Sequence, residues 1–191
     1  MRRTTLQRAI GYGAVAVIGA AALYVASDKA IYHFEQRNSF CVACHLTPTT
    51  VLHEELMADY TERERPRVLA SPHHAADPMV RCIDCHHGEG FVGRFEVLAA
   101  AGIDTLVWLA GAAEEPKKLN LPFPDVTCAR CHAKAARGEL ADGEFHVRPA
   151  HVDVSMRCID CHAVHAPGDP DLHFLDTARV LNQCRICHPQ M

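Results

Sequence analysis

The sequence predicts a mostly α-helical chain with extensive loops and little or no β structure. It consists of a single N-terminal transmembrane helix followed by one compact domain. Residues 9–27 carry no charged side chain, and a short motif of cysteine and histidine occurs five times between residues 41 and 188. Aromatic residues make up only 6% of the chain. The roughly 160 residues after the apolar stretch therefore suit one small domain whose core needs more than its own side chains.

The N-terminal segment predicts a membrane anchor. Residues 1–8 are basic through Arg2, Arg3 and Arg8, which places them in the cytoplasm. Residues 9–30 form the transmembrane anchor, because the uncharged run is close to the minimum length for a helix that crosses the hydrocarbon core. Residues 31–191 then form a domain on the periplasmic side of a bacterial inner membrane. The alternative is a cleaved signal peptide with its cleavage site among the small residues 20–22, although the apolar stretch exceeds a usual signal core.

All ten cysteines of the chain belong to five Cys-x-x-Cys-His motifs, at residues 41–45, 82–86, 128–132, 158–162 and 184–188. This is the attachment motif for c-type haem, in which both thiols bind the porphyrin as thioethers and the histidine binds the iron. The motifs predict five covalently bound haems and their iron atoms. The thioether residues are Cys41, Cys44, Cys82, Cys85, Cys128, Cys131, Cys158, Cys161, Cys184 and Cys187. The proximal iron ligands are His45, His86, His132, His162 and His188.

Other uses of paired cysteines fit the pattern less well. A zinc ribbon or a redox dithiol also contains Cys-x-x-Cys, but neither requires a histidine directly after every pair. Disulfides are the other alternative in an exported protein. Five short hooks of the same length make a poor disulfide framework, and no cysteine is left over for another scheme.

Nine further histidines supply candidates for the second axial ligand of each iron. His74 or its neighbour His73, and His151 or alternatively His146, occupy similar positions ahead of the second and fourth motifs. His165 follows the fourth motif, as though turned towards a different haem, and His53 and His173 are further candidates. His87 is tied to His86 and predicted to point away, and His33 lies at the end of the anchor. This supply favours mostly bis-histidine haems of low reduction potential.

The second and fourth motifs lie in similar segments, residues 79–86 and 155–162. Histidines precede both segments, which predicts a duplicated module of two haems. The sequence also predicts a helix over 48–64 and a longer apolar helix over 92–113. Arg94, Glu96 and Asp104 interrupt the longer one. These charges favour an amphipathic helix on the surface of the domain or of the membrane over a second transmembrane span.

Over residues 2–166 the chain resembles the NapC/NirT family of membrane-anchored multihaem cytochromes. The resemblance rests on the anchor, on residues 39–45 and 80–86, on the amphipathic segment, and on residues 128–132 and 158–165. It implies that electrons from membrane quinol pass along paired haems to a periplasmic reductase. Two features depart from the family: a fifth motif at residues 184–188, and Thr47 where the family tends to have methionine. A pentahaem chain with one anchor is also similar to the cytochrome subunit of alternative complex III.

These observations predict electron transfer between the quinol pool and a periplasmic redox protein or reductase. The chain either oxidises quinol itself, as a quinol dehydrogenase, or conducts electrons within a larger complex that has a separate quinol-oxidising membrane subunit. In the first case Glu54, Glu55, Glu89, Arg94 and Glu96 are candidates for proton transfer, and an ordinary charged surface is the alternative. A multihaem enzyme with an open iron is a less favoured reading, so no catalytic residue is assigned. The net charge of −4 and the lack of a basic patch argue against a nucleic-acid partner.

Overall fold

The computed structural model describes residues 5–117, 119, 121, 123–140, 146 and 156–191. Its helices are α1 (Thr5–Glu35), α2 (Asn38–Cys41), α3 (Glu54–Thr61), α4 (Ala70–Ala76), α5 (Cys82–His86), α6 (Gly90–Leu109), α7 (Val126–Ala129), α8 (Ala133–Ala136), α9 (Cys158–Cys161) and α10 (Thr177–Cys187). A 3₁₀ turn covers Pro170–Leu172. Two short strands, β1 (His45–Thr47) and β2 (Thr50–Val51), form one antiparallel pair. Within these residues the chain is mostly helical with little strand, as the sequence predicts.

Helix α1 is long and apolar enough to cross a membrane. Its 31 residues span about 46 Å at the rise of an α-helix, more than the roughly 30 Å of a hydrocarbon core. Within the part of the chain that the structure describes, no other helix meets the same test of length and composition. The helix continues past the predicted limit of residue 30 to Glu35, so its last turns lie beyond the apolar stretch. A signal sequence meets the same test, and retention of the helix stays a prediction.

The predicted helix over 48–64 is wrong in its first part. Thr47 and Thr50 are instead opposite each other in the strand pair, and the hydroxyl groups of these two residues are hydrogen-bonded at 2.9 Å. The amide of Thr49 also donates to the Thr47 hydroxyl at 3.3 Å. Threonine side chains that bond to nearby groups compete with helical hydrogen bonds. Helix α3 consequently begins only at Glu54.

Helix α6 begins two residues before the predicted start and ends before the predicted residue 113. Its end is a Schellman motif, in which Gly111 adopts a φ of 70°. The Gly111 amide donates to the Trp108 carbonyl at 2.9 Å, and the Ala112 amide donates to the Val107 carbonyl at 3.1 Å. Glycine favours this left-handed position because it has no Cβ. The helix stops there although its apolar composition continues.

One buried ion cluster joins α6 to α1. Arg94 is 3% exposed, and its Nε donates to Asp28 Oδ1 at 2.6 Å while its Nη2 donates to Glu35 Oε2 at 2.7 Å. The ring of Tyr24 packs near those of Phe91 and Phe95, with centroids 5.3 and 6.1 Å away. The first two turns of α6 are therefore held against the outer part of α1.

The hydrophobic core is small among the described residues. Buried hydrophobic side chains are Tyr60, Val68, Ala70, Ile83, Ala163 and Phe174. Val164, which follows the fourth motif, packs on the cluster of Tyr60, Val68 and Ala70. The Ala70 amide also donates to the Val164 carbonyl at 3.1 Å. This core brings the segment after the fourth motif against α3 and α4.

Candidate functional site

The second and fourth motifs begin with the same local structure. Arg81 precedes α5, and its amide and its Nη2 each donate to the carboxylate of Asp84 at 2.8 Å. Arg157 precedes α9, and the same two groups donate to Asp160 at 3.1 and 2.8 Å. These bonds satisfy an amide at the helix start that has no partner within the helix. Each short helix therefore holds its two cysteines in a fixed conformation.

A second repeated hydrogen bond joins the motifs in pairs. The Cys82 amide donates to Asn38 Oδ1 at 3.0 Å, and the Cys158 amide donates to Asp125 Oδ1 at 2.9 Å. Asn38 and Asp125 each lie three residues before the first cysteine of the preceding motif. The structure thus repeats one arrangement in the first pair of motifs and in the second pair, which agrees with the predicted duplication.

The thiols within each pair of motifs contact one another. Cys41 and Cys82 share a hydrogen bond, which lowers the pKa of Cys82 to about 7 and raises that of Cys41. Burial, and then the nearby Cys128, raise the pKa of Cys158 to about 12. The first cysteines of two motifs are therefore adjacent in both pairs.

Further contacts connect the pairs in chain order. Arg130, within the third motif, donates to the Asp84 carbonyl of the second motif at 3.2 Å. Arg179 of α10 donates to the Ile159 carbonyl of the fourth motif at 3.0 Å. Burial, and then the nearby Cys184 of the fifth motif, raise the pKa of Cys161 in the fourth motif. Each motif consequently adjoins the next along the chain.

Three motif histidines each face a histidine from outside their own motif. The pairs, with their ring-centroid distances and interplanar angles, are His86 with His165 (5.9 Å, 23°), His132 with His73 (5.8 Å, 87°) and His162 with His146 (6.2 Å, 14°). A metal–nitrogen bond of about 2 Å, with about 1 Å more to the ring centre, puts two imidazoles on opposite sides of one metal about 6 Å apart. The two rings can rotate about that axis, so parallel and perpendicular pairs both fit. These distances match the spacing of two axial ligands.

Hydrogen bonding and burial favour the neutral form in several of these histidines. His73 donates from Nδ1 to the Leu69 carbonyl at 2.8 Å, so Nε2 is the nitrogen that could bind a metal. Burial, together with the nearby His165 and His53, lowers the pKa of His86 to about 4. Burial is also the main cause that lowers the pKa values of His162 and His165. Neutral imidazole is the form that ligates a metal.

The remaining candidate histidines have other surroundings. His74 stacks on Tyr60 with centroids 4.5 Å apart, and its buried Nδ1 has no hydrogen-bond partner among the described residues. In α4 it is therefore His73 that faces a motif histidine. His173 adopts a left-handed φ of 54°, and its backbone is hydrogen-bonded to the ring of His162. His151 lies outside the described residues, and its alternative His146 is the residue beside His162.

His53 is held by a carboxylate. Its Nδ1 lies 2.7 Å from Glu115 Oε1, and its amide donates to Glu115 Oε2 at 2.8 Å. A carboxylate on one ring nitrogen is the usual second-layer partner of a metal-binding histidine, because it directs the other nitrogen to the metal. His53 also contributes to the lowered pKa of both His86 and His165, so it lies near that pair.

The histidines of the first and fifth motifs each line an open cleft. The cleft beside His45, of ≈ 270 Å³, is also lined by Leu46, Trp108, Leu109, Gly111 and Ala113. Trp108 Nε1 donates to the His45 carbonyl at 2.7 Å. The cleft beside His188, of ≈ 300 Å³, lies at the C-terminal end of α10. Each cleft therefore leaves open space directly beside a motif histidine.

The available donor side chains suit a haem iron better than a free metal ion. Among the described residues, no group of three or more histidine, cysteine or acidic side chains could hold a metal ion by itself. A haem iron needs only two axial protein ligands, because the porphyrin supplies the other four. Paired histidines beside Cys-x-x-Cys motifs fit this requirement.

No family model, curated protein or solved structure matches the chain.

Three residues of the site were missed in the sequence. Asn38 and Asp125 each lie three residues before the first cysteine of a motif, and this shared spacing is the sequence signal that could have identified them. Glu115 lies 62 residues from His53, and no spacing rule connects them. Arg94 was a candidate for proton transfer, but the structure places it in the buried ion cluster between α1 and α6.

Proposed function

We propose that this chain is a membrane-anchored pentahaem c-type cytochrome that transfers electrons between the quinol pool and a periplasmic redox protein. The N-terminus lies in the cytoplasm and the domain outside the membrane in this proposal. Its haems are bound by the ten cysteines and five motif histidines given above. When bound, each haem iron accepts and releases one electron.

The observation that carries the proposal is the pairing of three motif histidines with distant histidines at 5.8–6.2 Å. His165, His73 and His146 would hold the haem irons of motifs two, three and four together with the motif histidines. With two protein ligands, these three irons would leave no site for a substrate. This geometry supports electron transfer over catalysis.

The order of the motifs supports the same function. Each motif contacts its neighbour along the chain, from Cys41 beside Cys82 to Cys161 beside Cys184. The first motif follows the membrane helix α1, and the fifth motif is the last segment of the chain. The chain's own residues thus hold the five attachment sites in a continuous series that starts close to α1.

The first test is the haem content of the purified protein. We expect five haems per chain that stay attached after denaturation and extraction with acidic acetone, because thioether bonds survive this treatment. Mass spectrometry of the denatured chain gives the number directly. Zinc in the protein, or cysteines that react freely with a thiol reagent, would overturn the proposal.

The second test separates two versions of the function. If the chain oxidises quinol itself, the purified protein in lipid is reduced by a soluble quinol. If it conducts electrons within a larger complex, quinol alone leaves it oxidised, and reduction requires the quinol-oxidising membrane subunit. A multihaem enzyme is the remaining candidate, and an exchangeable ligand would then bind an iron on the side opposite its motif histidine. A large high-spin signal that responds to nitrite or hydroxylamine would favour this alternative.

A further inference from the structure

Helix α6 carries an exposed surface that its contacts within the chain leave uncovered. We define its apolar face as Phe91, Val92, Phe95, Ile103, Leu106 and Leu109. Each of these side chains is between 53 and 70% exposed. Residues spaced by three, four and seven positions share one side of a helix, so this face runs along the whole of α6.

The charged residues of α6 and its side-chain ion pairs and hydrogen bond to the rest of the chain lie on its other sides. Arg94 is buried against α1, while Trp108 reaches the His45 carbonyl. Glu96 and Asp104 are exposed, and they lie beyond the edges of the apolar face on a helical projection. The helix is therefore amphipathic, with one side held by the domain and an uncharged side directed away from it.

The position of α6 on α1 indicates what covers this face. Phe91 and Phe95 pack on Tyr24, which lies in the last turn of the uncharged stretch. Arg94 binds Asp28, the first charged residue after that stretch. The first two turns of α6 are consequently at the level where α1 leaves its apolar segment. Aromatic residues concentrate at this level of a membrane.

We infer that the apolar face of α6 lies in the interfacial region of the lipid bilayer, as a second membrane contact of the domain. The inference rests on the membrane insertion of α1 that the proposed function includes. The apolar surface that begins with the lipid-facing side chains of α1 continues through Tyr24 into Phe91 and Phe95. A helix with one charged and one apolar side lies in the plane of the interface. This contact fixes the rotation of the domain about α1 and keeps the first motif beside the membrane.

Photolabelling of the full haem-loaded chain in phosphatidylcholine and phosphatidylglycerol vesicles tests the inference. A phospholipid with a diazirine in its acyl chain forms adducts with side chains that touch lipid, and mass spectrometry locates them. We expect adducts on α1 and on the apolar face of α6. They should exceed those on Ile186 at least about tenfold, since only α1 and α6 are at the bilayer. Ile186 is a matched control because it is apolar, helical and 75% exposed, but far along the chain.

Two substitutions sharpen the test. Ile103→Glu places a charge on the apolar face and is expected to reduce the labelling of α6 severalfold. Asp104→Ala alters the neighbouring exposed position on another side of the helix and is expected to leave the labelling unchanged. Labelled α1 with unlabelled α6 would overturn the inference, whether water, a partner protein or a second copy covers the face. Unlabelled α1 would instead show that the anchor of the proposed function is wrong.

Discussion

At the scale of single residues, the neighbouring histidines His73 and His74 in α4 differ in the side chains that their rings contact. His73 faces His132 across 5.8 Å and is fixed by the Leu69 carbonyl. His74 points to another side of the helix and stacks on Tyr60. Adjacent positions on an α-helix are about 100° apart, so a shift of one residue decides which ring reaches the third motif. The sequence ranked His74 ahead of His73 because position relative to the second motif was the only available criterion.

Replacement of the ring at His73 tests the pairing with His132. We expect His73→Ala to convert one haem from low spin to high spin, because the third motif loses its second axial ligand. Electron paramagnetic resonance of the oxidised protein measures the change. His33→Ala is the control, since His33 is exposed on α1 and contacts Phe34. Equal spectra of both variants and the unaltered protein would refute the pairing.

At the scale of secondary-structure elements, the two pairs of motifs differ by one charge at equivalent positions. The Cys82 amide binds the neutral side chain of Asn38, and the Cys158 amide binds the carboxylate of Asp125. Both side chains offer an oxygen at the same position, so either residue can accept the hydrogen bond. The carboxylate additionally stabilises positive charge on nearby groups. At this one position the second pair of motifs therefore carries an additional negative charge.

This difference predicts opposite shifts of reduction potential. Asp125→Asn should raise the potentials of the haems at the third and fourth motifs by tens of millivolts, because the oxidised iron loses a stabilising negative charge. Asn38→Asp should lower those at the first and second motifs. A spectroscopic redox titration measures both variants, with the double exchange as the control for general perturbation. Shifts in the same direction for both substitutions would contradict the electrostatic explanation.

The buried ion cluster between α1 and α6 predicts a stability effect. Arg94→Leu leaves the carboxylates of Asp28 and Glu35 without their cation, at a cost of about 3 kcal/mol for a buried pair. A lower midpoint of thermal unfolding is expected. Arg137→Leu is the matched control, because Arg137 forms its ion pair with the exposed Glu139 on the protein surface and such pairs contribute little. An unchanged midpoint for Arg94→Leu would show that α6 is held by other contacts.

At the scale of the whole molecule, the polypeptide buries few hydrophobic side chains among its described residues. Ordering a chain costs conformational entropy at every residue, and a small apolar core does not offset it. Cofactors in the space between motifs would supply the missing apolar surface. Because little apolar packing supports the short helices α5 and α9, side-chain hydrogen bonds at their starts stabilise them instead.

Loss of single attachment sites should therefore have unequal effects. Cys128→Ala with Cys131→Ala removes a central site, and we expect no stable folded protein to accumulate in cells. Cys184→Ala with Cys187→Ala removes the terminal site, and we expect a protease-resistant protein with four haems, because α10 joins the rest at one end. Haem content and limited proteolysis measure both outcomes. Normal accumulation of the Cys128 variant would show that the polypeptide folds without that haem.

The sequence by itself determined the five Cys-x-x-Cys-His motifs, the apolar N-terminal helix and the mostly helical character. These features are local: a motif needs only its own five residues, and an apolar helix needs only its composition. The tertiary structure decided which distant histidine faces which motif histidine. It also decided that Arg94 belongs to a structural ion cluster and that the apolar face of α6 stays exposed. The contacts His73–His132, Arg94–Asp28 and His86–His165 join residues 59, 66 and 79 positions apart. They depend on how helices pack, and local spacing carries no information about packing.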